Sequence, residues 1–271
     1  MTVLSPILNV MKMAAEKAAR SLIRDFGEVE QLQVSRKGPA DFVSNADIKA
    51  EEILLKELRK ARPGFGLLME ESGVNEGSDK SQRWIVDPLD GTTNFLHGFP
   101  TFAVSLACQY RGRIEHAVVY DPMRQELFTA SRGDGAQLDG RRIRVSKQAT
   151  IEGALIGTGF PYRENSRWID PYLAMLKTVM QQSAGIRRPG AAALDLAYVA
   201  AGRIDAFWEI GLNAWDTAAG SLLITEAGGR IGTLTGGEYR QNGNVLAGSP
   251  KVYEAMLECL APHVPAELRE D

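Results

Sequence analysis

The segment WIVDPLDGTTN, Trp84 to Asn94, takes an apolar run straight into two carboxylates three positions apart, then a glycine and two threonines. Trp84-Ile85-Val86 reads as a buried strand. Pro88 fixes its own φ and lacks an N–H, so the strand is expected to end there and the chain to turn. The turn brings Asp87 and Asp90 together, with the carbonyl of Leu89 pointing the same way. Two carboxylates and a carbonyl are hard donors, suited to Mg²⁺ or Mn²⁺ rather than zinc. Gly91-Thr92-Thr93-Asn94 reads as a helix start, where free N–H groups and the positive dipole end favour an anion. The same residues are also a fair surface turn followed by a helix cap.

Three further acidic stations lie outward from this segment. Glu70-Glu71 follows the apolar run Leu67-Leu68-Met69, Asp216 follows Trp215 ahead of a helix, and Asp47 opens a helix after DFVSN. Each has an ordinary explanation, since Asp47 and Asp216 make good N-caps and a Glu pair is usually solvated. Four acidic stations, all at the ends of elements, are harder to explain in that way.

The rest of the chain supplies the frame. Apolar residues recur at helical spacing from Ile7 to Phe26, and a second helix runs from Asp47 to the Pro63-Gly64 stop. FAVSLACQY, RIEHAVVYD, ELFTASRG and RRIRVS then read as short strands separated by turns at Arg111-Gly112, Asp121-Pro122 and Asp139-Gly140, an antiparallel meander. Beyond about residue 150 strands and helices alternate: GALIGTG, a helix from about Trp168 to Met180, GAAALDLAYVAAG, IDAFWEI, DTAAGSLLITEAGG, NVLAGS and a last helix to Leu260. The expected division is residues 1–150, carrying most of the acids, and 151–271, carrying Asp216 and substrate contacts, with a cleft between them.

With 271 residues, 44% hydrophobic and 24% charged, the composition is that of an ordinary globular protein. A net charge of −3 argues against non-specific nucleic-acid binding. Arg141-Arg142 with Arg144 reads as solvated surface. No run reaches the roughly 18 apolar residues of a spanning helix, and the start lacks the pattern of a signal peptide. Cys108 and Cys259 sit singly in apolar contexts, as buried thiols of a reducing compartment would, so a cytoplasmic location is expected. There is no GxSxG, no GxxxxGK[ST] and no HExxH, and His97, His116 and His263 are scattered, read as structural or exposed.

The ordered series Asp47, Glu70-Glu71, DPLDGTT and WDTAAG resembles the signature of the lithium-sensitive, metal-dependent sugar-phosphate phosphatases, and within them the inositol monophosphatase family. VVYDPMRQELFTASRG and AALDLAYVAAGRIDAFWEIG extend the likeness, over essentially the whole chain, to that family's bacterial branch, which is also linked to transcription antitermination. The resemblance implies an α-β-α-β-α layered α/β fold with mixed antiparallel and parallel sheets, a homodimer, and two to three Mg²⁺ per site. It implies that Glu70, Asp87 and the Leu89 carbonyl hold one ion, and that Asp87 bridges to a second also held by Asp90 and Asp216. Glu70 and Thr92 would orient the attacking water, with Asp47 as an outer acid beside a third, weaker ion. Gly91 and Thr92 would receive the phosphate through their N–H groups. Glu209 would bind sugar hydroxyls, helped by Asp90, Asp216 and backbone near Gly190 and Ala192. Charge supports a third ion. Glu70, Asp87, Asp90 and Asp216 with a phosphomonoester, itself about two negative charges, leave two divalent cations about two charges short of neutrality. The expected reaction is hydrolysis of inositol monophosphate by metal-activated water. Fructose 1,6-bisphosphate, a nucleotide phosphate or histidinol phosphate are alternative substrates, with Arg187-Arg188 a possible second anion site. A mainly non-catalytic role with the transcription machinery is the alternative of another class.

Overall fold

The computed structural model describes residues 5–28, 34–38, 41–241 and 243–269; the first four residues of the stretch read for a targeting signal lie outside them. Helix α1 (Pro6–Phe26) begins where Ser5 Oγ accepts a hydrogen bond from the N–H of Leu8 (3.2 Å) and Pro6 occupies the first turn. Strands β1 (Val34–Gly38) and β2 (Asp41–Ser44) form a separate hairpin leading into α2 (Asn45–Ala61). The alanine-rich stripes of α1 (Met11, Ala14, Ala15, Ala18) and α2 (Ala46, Ala50) are buried, with Leu54 and Leu58 extending the second.

Both helices cover one face of an eight-stranded sheet whose order is β10-β9-β8-β7-β6-β5-β3-β4. Its strands are β3 (Phe65–Met69), β4 (Gly73–Asn75), β5 (Asp79–Asp90), β6 (Ala103–Tyr110), β7 (Arg113–Asp121), β8 (Glu126–Ser131), β9 (Gly135–Leu138) and β10 (Arg141–Arg142). Only the β3–β5 pairing is parallel. Side chains divide with the pleat: Trp84, Val86, Val104 and Leu106 face α1 and α2, while Ile85, Ala103 and Ala107 face the other way. With both faces covered, these strands read as nearly unbroken apolar runs. The short α3 (Thr92–Leu96) follows β5.

The middle layer is α5 (Ala192–Ala200) and α6 (Ala214–Glu226), both apolar nearly all round, as helices buried between two sheets must be. They pack closely: a Cβ on Gly220 of α6 would lie 2.4 Å from Leu196 Cβ of α5. The second sheet has the order β12-β11-β13-β15-β14, formed by β11 (Leu155–Thr158), β12 (Gly185–Arg187), β13 (Ala206–Glu209), β14 (Arg230–Gly232) and β15 (Val245–Gly248). Its β12, β11 and β13 run parallel, and β15 lies antiparallel to both β13 and β14. Its outer face, with Ile156, Trp208 and Leu246, is covered by α4 (Ile169–Gln182) and α7 (Pro250–Leu260). The layers are therefore α-β-α-β-α with mixed sheets, as the resemblance implies.

Three local expectations are corrected, the first being RRIRVS, of which only Arg141–Arg142 forms a strand. β5 does not end at Pro88 but continues to Asp90 through a bulge: Asp87 pairs with Ser105 and Asp90 with Ala103, so three steps on β5 face two on β6. Pro88 sits inside the bulge, where no ladder donor is required. And α2 begins at Asn45 rather than Asp47, with Ser44 as its N-cap.

Candidate active site

A bulge is what makes two acids three apart useful. In a regular strand they would point to opposite faces; the extra residue turns Asp90 to the side of Asp87. Asp87 Oδ1 accepts the N–H of Leu89 at 2.9 Å, which holds the bulge. Glu70 follows the last residue of β3, and because Met69 pairs in parallel with Val86, it comes to lie beside Asp87. Asp216 arrives from the first turn of α6. Asp87, Asp90 and Asp216 present carboxylate oxygens that all lie within 4.8 Å of one another.

Burial, then Glu70, Asp90 and Asp216, push the Asp87 carboxyl well above its ordinary range, and Glu70 is also hydrogen-bonded to it. Burial foremost raises Asp90 to about 7, opposed by the N–H groups of Ala193, Ala192 and Leu194. Ala193 N lies 2.8 Å from Asp90 Oδ2. The residue before α5 is Ala191, which has no capping atom, and Asp90 closes that helix end from another element. Acids held together this closely are the donor set of a divalent oxygen-seeking cation, whose charge would offset their repulsion. The residues present fit such an ion.

Asp47 and Asp216 are not N-caps, as the sequence suggested, but the third residues of capping boxes based on Ser44 and Asn213. Asp47 Oδ2 accepts from Ser44 N (2.9 Å) and Ser44 Oγ (2.6 Å), and Asp216 Oδ2 accepts from Asn213 N (2.6 Å). Asp47 is fully buried, and it reaches the site through Thr92, whose Oγ1 lies 3.0 Å from Asp47 Oδ1 and 3.1 Å from the Leu89 carbonyl. Burial raises Asp47 above the usual carboxylate range, against its bonds to Ser44 and Thr92.

These groups line a cleft of ≈ 390 Å³ between the first sheet and the second half of the chain. Glu70, Asp87, Leu89, Asp90, Gly91, Thr92, Gly190, Ala192, Glu209 and Asp216 all border it, and Asp47 stands behind Thr92. Gly91 needs its left-handed φ of 94°, and a Cβ there would come 2.9 Å from the Thr101 carbonyl. Glu209 ends β13, and burial, then Asp216, raise it to about 8, with Arg188 opposing. Of the two neighbouring arginines only Arg188 borders the cleft, with its guanidinium over the rings of Phe160 (5.1 Å) and Tyr162 (5.4 Å). None of the three histidines does.

Other cleft residues carry no sequence signal of their own. Asn94 Nδ2 donates to the carbonyls of Thr101 and Pro189, each at 2.8 Å, tying α3 to the second half; its place after DGTT is the one hint. Gly159 follows β11, and because Thr158 pairs with Trp208, it lies against Glu209. Asp195, inside α5, also borders the cleft.

The fold and the site together define an α-β-α-β-α protein whose inter-layer cleft gathers carboxylates closely enough to hold a metal ion. The sequence profile of the inositol monophosphatase family matches residues 3–268, and the chain belongs to that family. It is 51% identical over 270 residues to the Nus factor SuhB of Pseudomonas aeruginosa, covering 98% of this chain and all of the relative. It is 54% identical over 257 residues to the inositol-1-monophosphatase of Mesorhizobium japonicum, covering 94% of this chain and 96% of the relative. The crystal structure of the extragenic suppressor protein suhB of Bartonella henselae superposes with a TM-score of 0.92 at 52% identity, over 96% of this chain and 100% of that one.

Proposed function

We propose that the chain is a Mg²⁺-dependent phosphomonoesterase that hydrolyses inositol monophosphate to inositol and phosphate. The observation that carries this reading is the convergence of Asp87, Asp90 and Asp216 oxygens within 4.8 Å beside Glu70 and the Leu89 carbonyl. The name of the M. japonicum relative supports the substrate. Glu70, Asp87 and the Leu89 carbonyl would hold one Mg²⁺, and Asp87, Asp90 and Asp216 a second, with Mn²⁺ a possible substitute; a third, weaker ion fits the charge balance. When bound, such ions lower the pKa of water and offset charge on the phosphate and the leaving alkoxide.

The chain's own groups do the positioning. Thr92 gives its one hydrogen toward Asp47 and the Leu89 carbonyl, so its oxygen is left as an acceptor for the attacking water. Glu70 shares in orienting that water. The N–H groups of Gly91 and Thr92 take phosphate oxygens. Glu209, Asp90, Asp216 and the backbone near Gly190 and Ala192 hold the ring hydroxyls. Two buried free thiols, Cys108 and Cys259, support a cytoplasmic setting, and among the described residues no helix is long and apolar enough to cross a membrane. Exposed Ile169, Leu173 and Met180 make an apolar stripe on α4 that supports a homodimer, to be checked by sedimentation.

The test is phosphate release from inositol 1-phosphate with and without Mg²⁺, beside Asp87→Asn. Metal-dependent turnover lost in the variant is expected; a folded wild-type protein inert toward this and a panel of other small phosphates would refute the reading. The Nus factor name of the P. aeruginosa relative supports a second role, as a partner of the transcription machinery. A cellular phenotype that persists in Asp87→Asn would belong to that role.

A further inference from the structure

From Ala192 to Ala197 every residue of α5 is buried, and all but one are alanine or leucine. The exception is Asp195, 1% exposed, whose Oδ1 is sealed from solvent without a hydrogen-bond partner. A buried acceptor left unsatisfied costs stability, and nothing in the packing of α5 calls for a carboxyl at this position. The same side chain borders the cleft, and its charged neighbours are Glu209, Asp90 and Arg188.

We propose that Asp195 is a specificity-determining residue, and that with Glu209 it forms a two-carboxyl subsite taking the free hydroxyls of a polyol monophosphate. The inference rests on the phosphatase reading and narrows its substrate class. A hydroxyl both donates and accepts, so once a small rotation of the side chain on binding brings Oδ1 to the cleft it borders, the hydroxyl can satisfy the atom that no group of the protein satisfies. Burial, then Glu209 and Asp90, hold Asp195 well above the usual carboxylate range, against Arg188. A carboxyl in its protonated form gives a hydroxyl a donor and an acceptor together. Glu209 alone would bind hydroxyls without this second contact.

The experiment compares kcat/KM for inositol 1-phosphate with that for 4-nitrophenyl phosphate, which has no hydroxyls to offer, in wild type, Asp195→Leu, Asp195→Ala and Asp195→Asn with Mg²⁺. The expected result is that the leucine variant lowers the ratio of the two about tenfold or more, through KM, because one buried polar contact is lost. Its melting temperature rises, since the unsatisfied group is gone. Asp195→Ala shows the same fall in ratio where leucine is not accommodated. Asp195→Asn retains donor, acceptor and shape, and keeps the ratio within about threefold of wild type. An unchanged ratio in the leucine and alanine variants, or an equal fall on both substrates, overturns the proposal while leaving the phosphatase reading in place. Failure of the wild-type protein to hydrolyse either phosphate overturns both.

Discussion

Gly159→Ala isolates the placement of one carboxyl. A Cβ at this position would lie 2.0 Å from Glu209 Cδ and 2.1 Å from each of its oxygens. Contacts under 3.0 Å are not tolerated, so the carboxyl must retreat by at least 3.0 − 2.0, about 1 Å. Gly159 has no positive φ, so the backbone accepts alanine. The obstructing group is the end of a flexible side chain, which swings aside more readily than a strand moves. The stability cost should therefore fall below the roughly 1–3 kcal/mol typical of overpacked cores. Function is different, because the carboxyl leaves the place where it is proposed to meet the substrate. A displacement of about 1 Å at a reacting site can cost about 10²-fold, and a lost hydrogen bond to a charged group about 1.5–3 kcal/mol, or roughly 10- to 150-fold. The expected kcat/KM for inositol 1-phosphate is thus lower by about 10- to 100-fold, measured by phosphate release, with hydrolysis of 4-nitrophenyl phosphate changed by less than about threefold. Wild-type turnover of the inositol ester, or equal losses on both substrates, would show that Glu209 does not work from this position.

Other outcomes follow from the acids and their caps. Asp90 and Glu209 titrate near 7 and 8 in the folded metal-free chain, against about 4 when unfolded. The folded state then binds more protons between these values, so metal-free stability falls as pH rises from about 4 to 8. Thermal melts in EDTA should be higher at about pH 5.5 than at about pH 8, and saturating Mg²⁺ should flatten the slope; a metal-free melting temperature that climbs over this range contradicts the account. Asp47→Ala removes a capping box and the anchor of Thr92, so a loss of about 1 kcal/mol in denaturant unfolding should accompany a fall in kcat that Asp47→Asn partly restores. Gly91→Ala meets both the φ of 94° and the Thr101 carbonyl at 2.9 Å, and should cost about 1–3 kcal/mol as well as activity; an unchanged unfolding midpoint would refute the strain.

The meander was legible because its turns are local chemistry. Arg111-Gly112 and Asp139-Gly140 take positive φ at both residues (48° and 81°, 49° and 74°), as tight hairpins require. Strands β4, β12 and β14 were not, since three residues carry no measurable period. The acids were legible as acids at element ends, but their order within the helix start was not. Ser44 and Asn213 cap as well as aspartate does, and the capping-box pattern favours Glu or Gln where these helices have Asp. The approach of Gly159 to Glu209, and of Glu70 to Asp87, depends on parallel register between strands separated in the chain, which no local pattern specifies. Asp195 sits in a run of small residues with nothing in its spacing to mark it out.

Two of the acids at the cleft, and the one behind Thr92, also fasten helices: Asp216 closes the start of α6, Asp90 that of α5 across the layers, and Asp47 that of α2. Chemistry and scaffold are thus inherited together. A descendant that lost the need for hydrolysis would still be selected to keep these three carboxylates, because discarding them frays its helices. Their survival in a diverged sequence testifies to the fold before it testifies to turnover. On the roles proposed for them, decay of the activity would first be written at Thr92 and Glu209, whose side chains cap no helix.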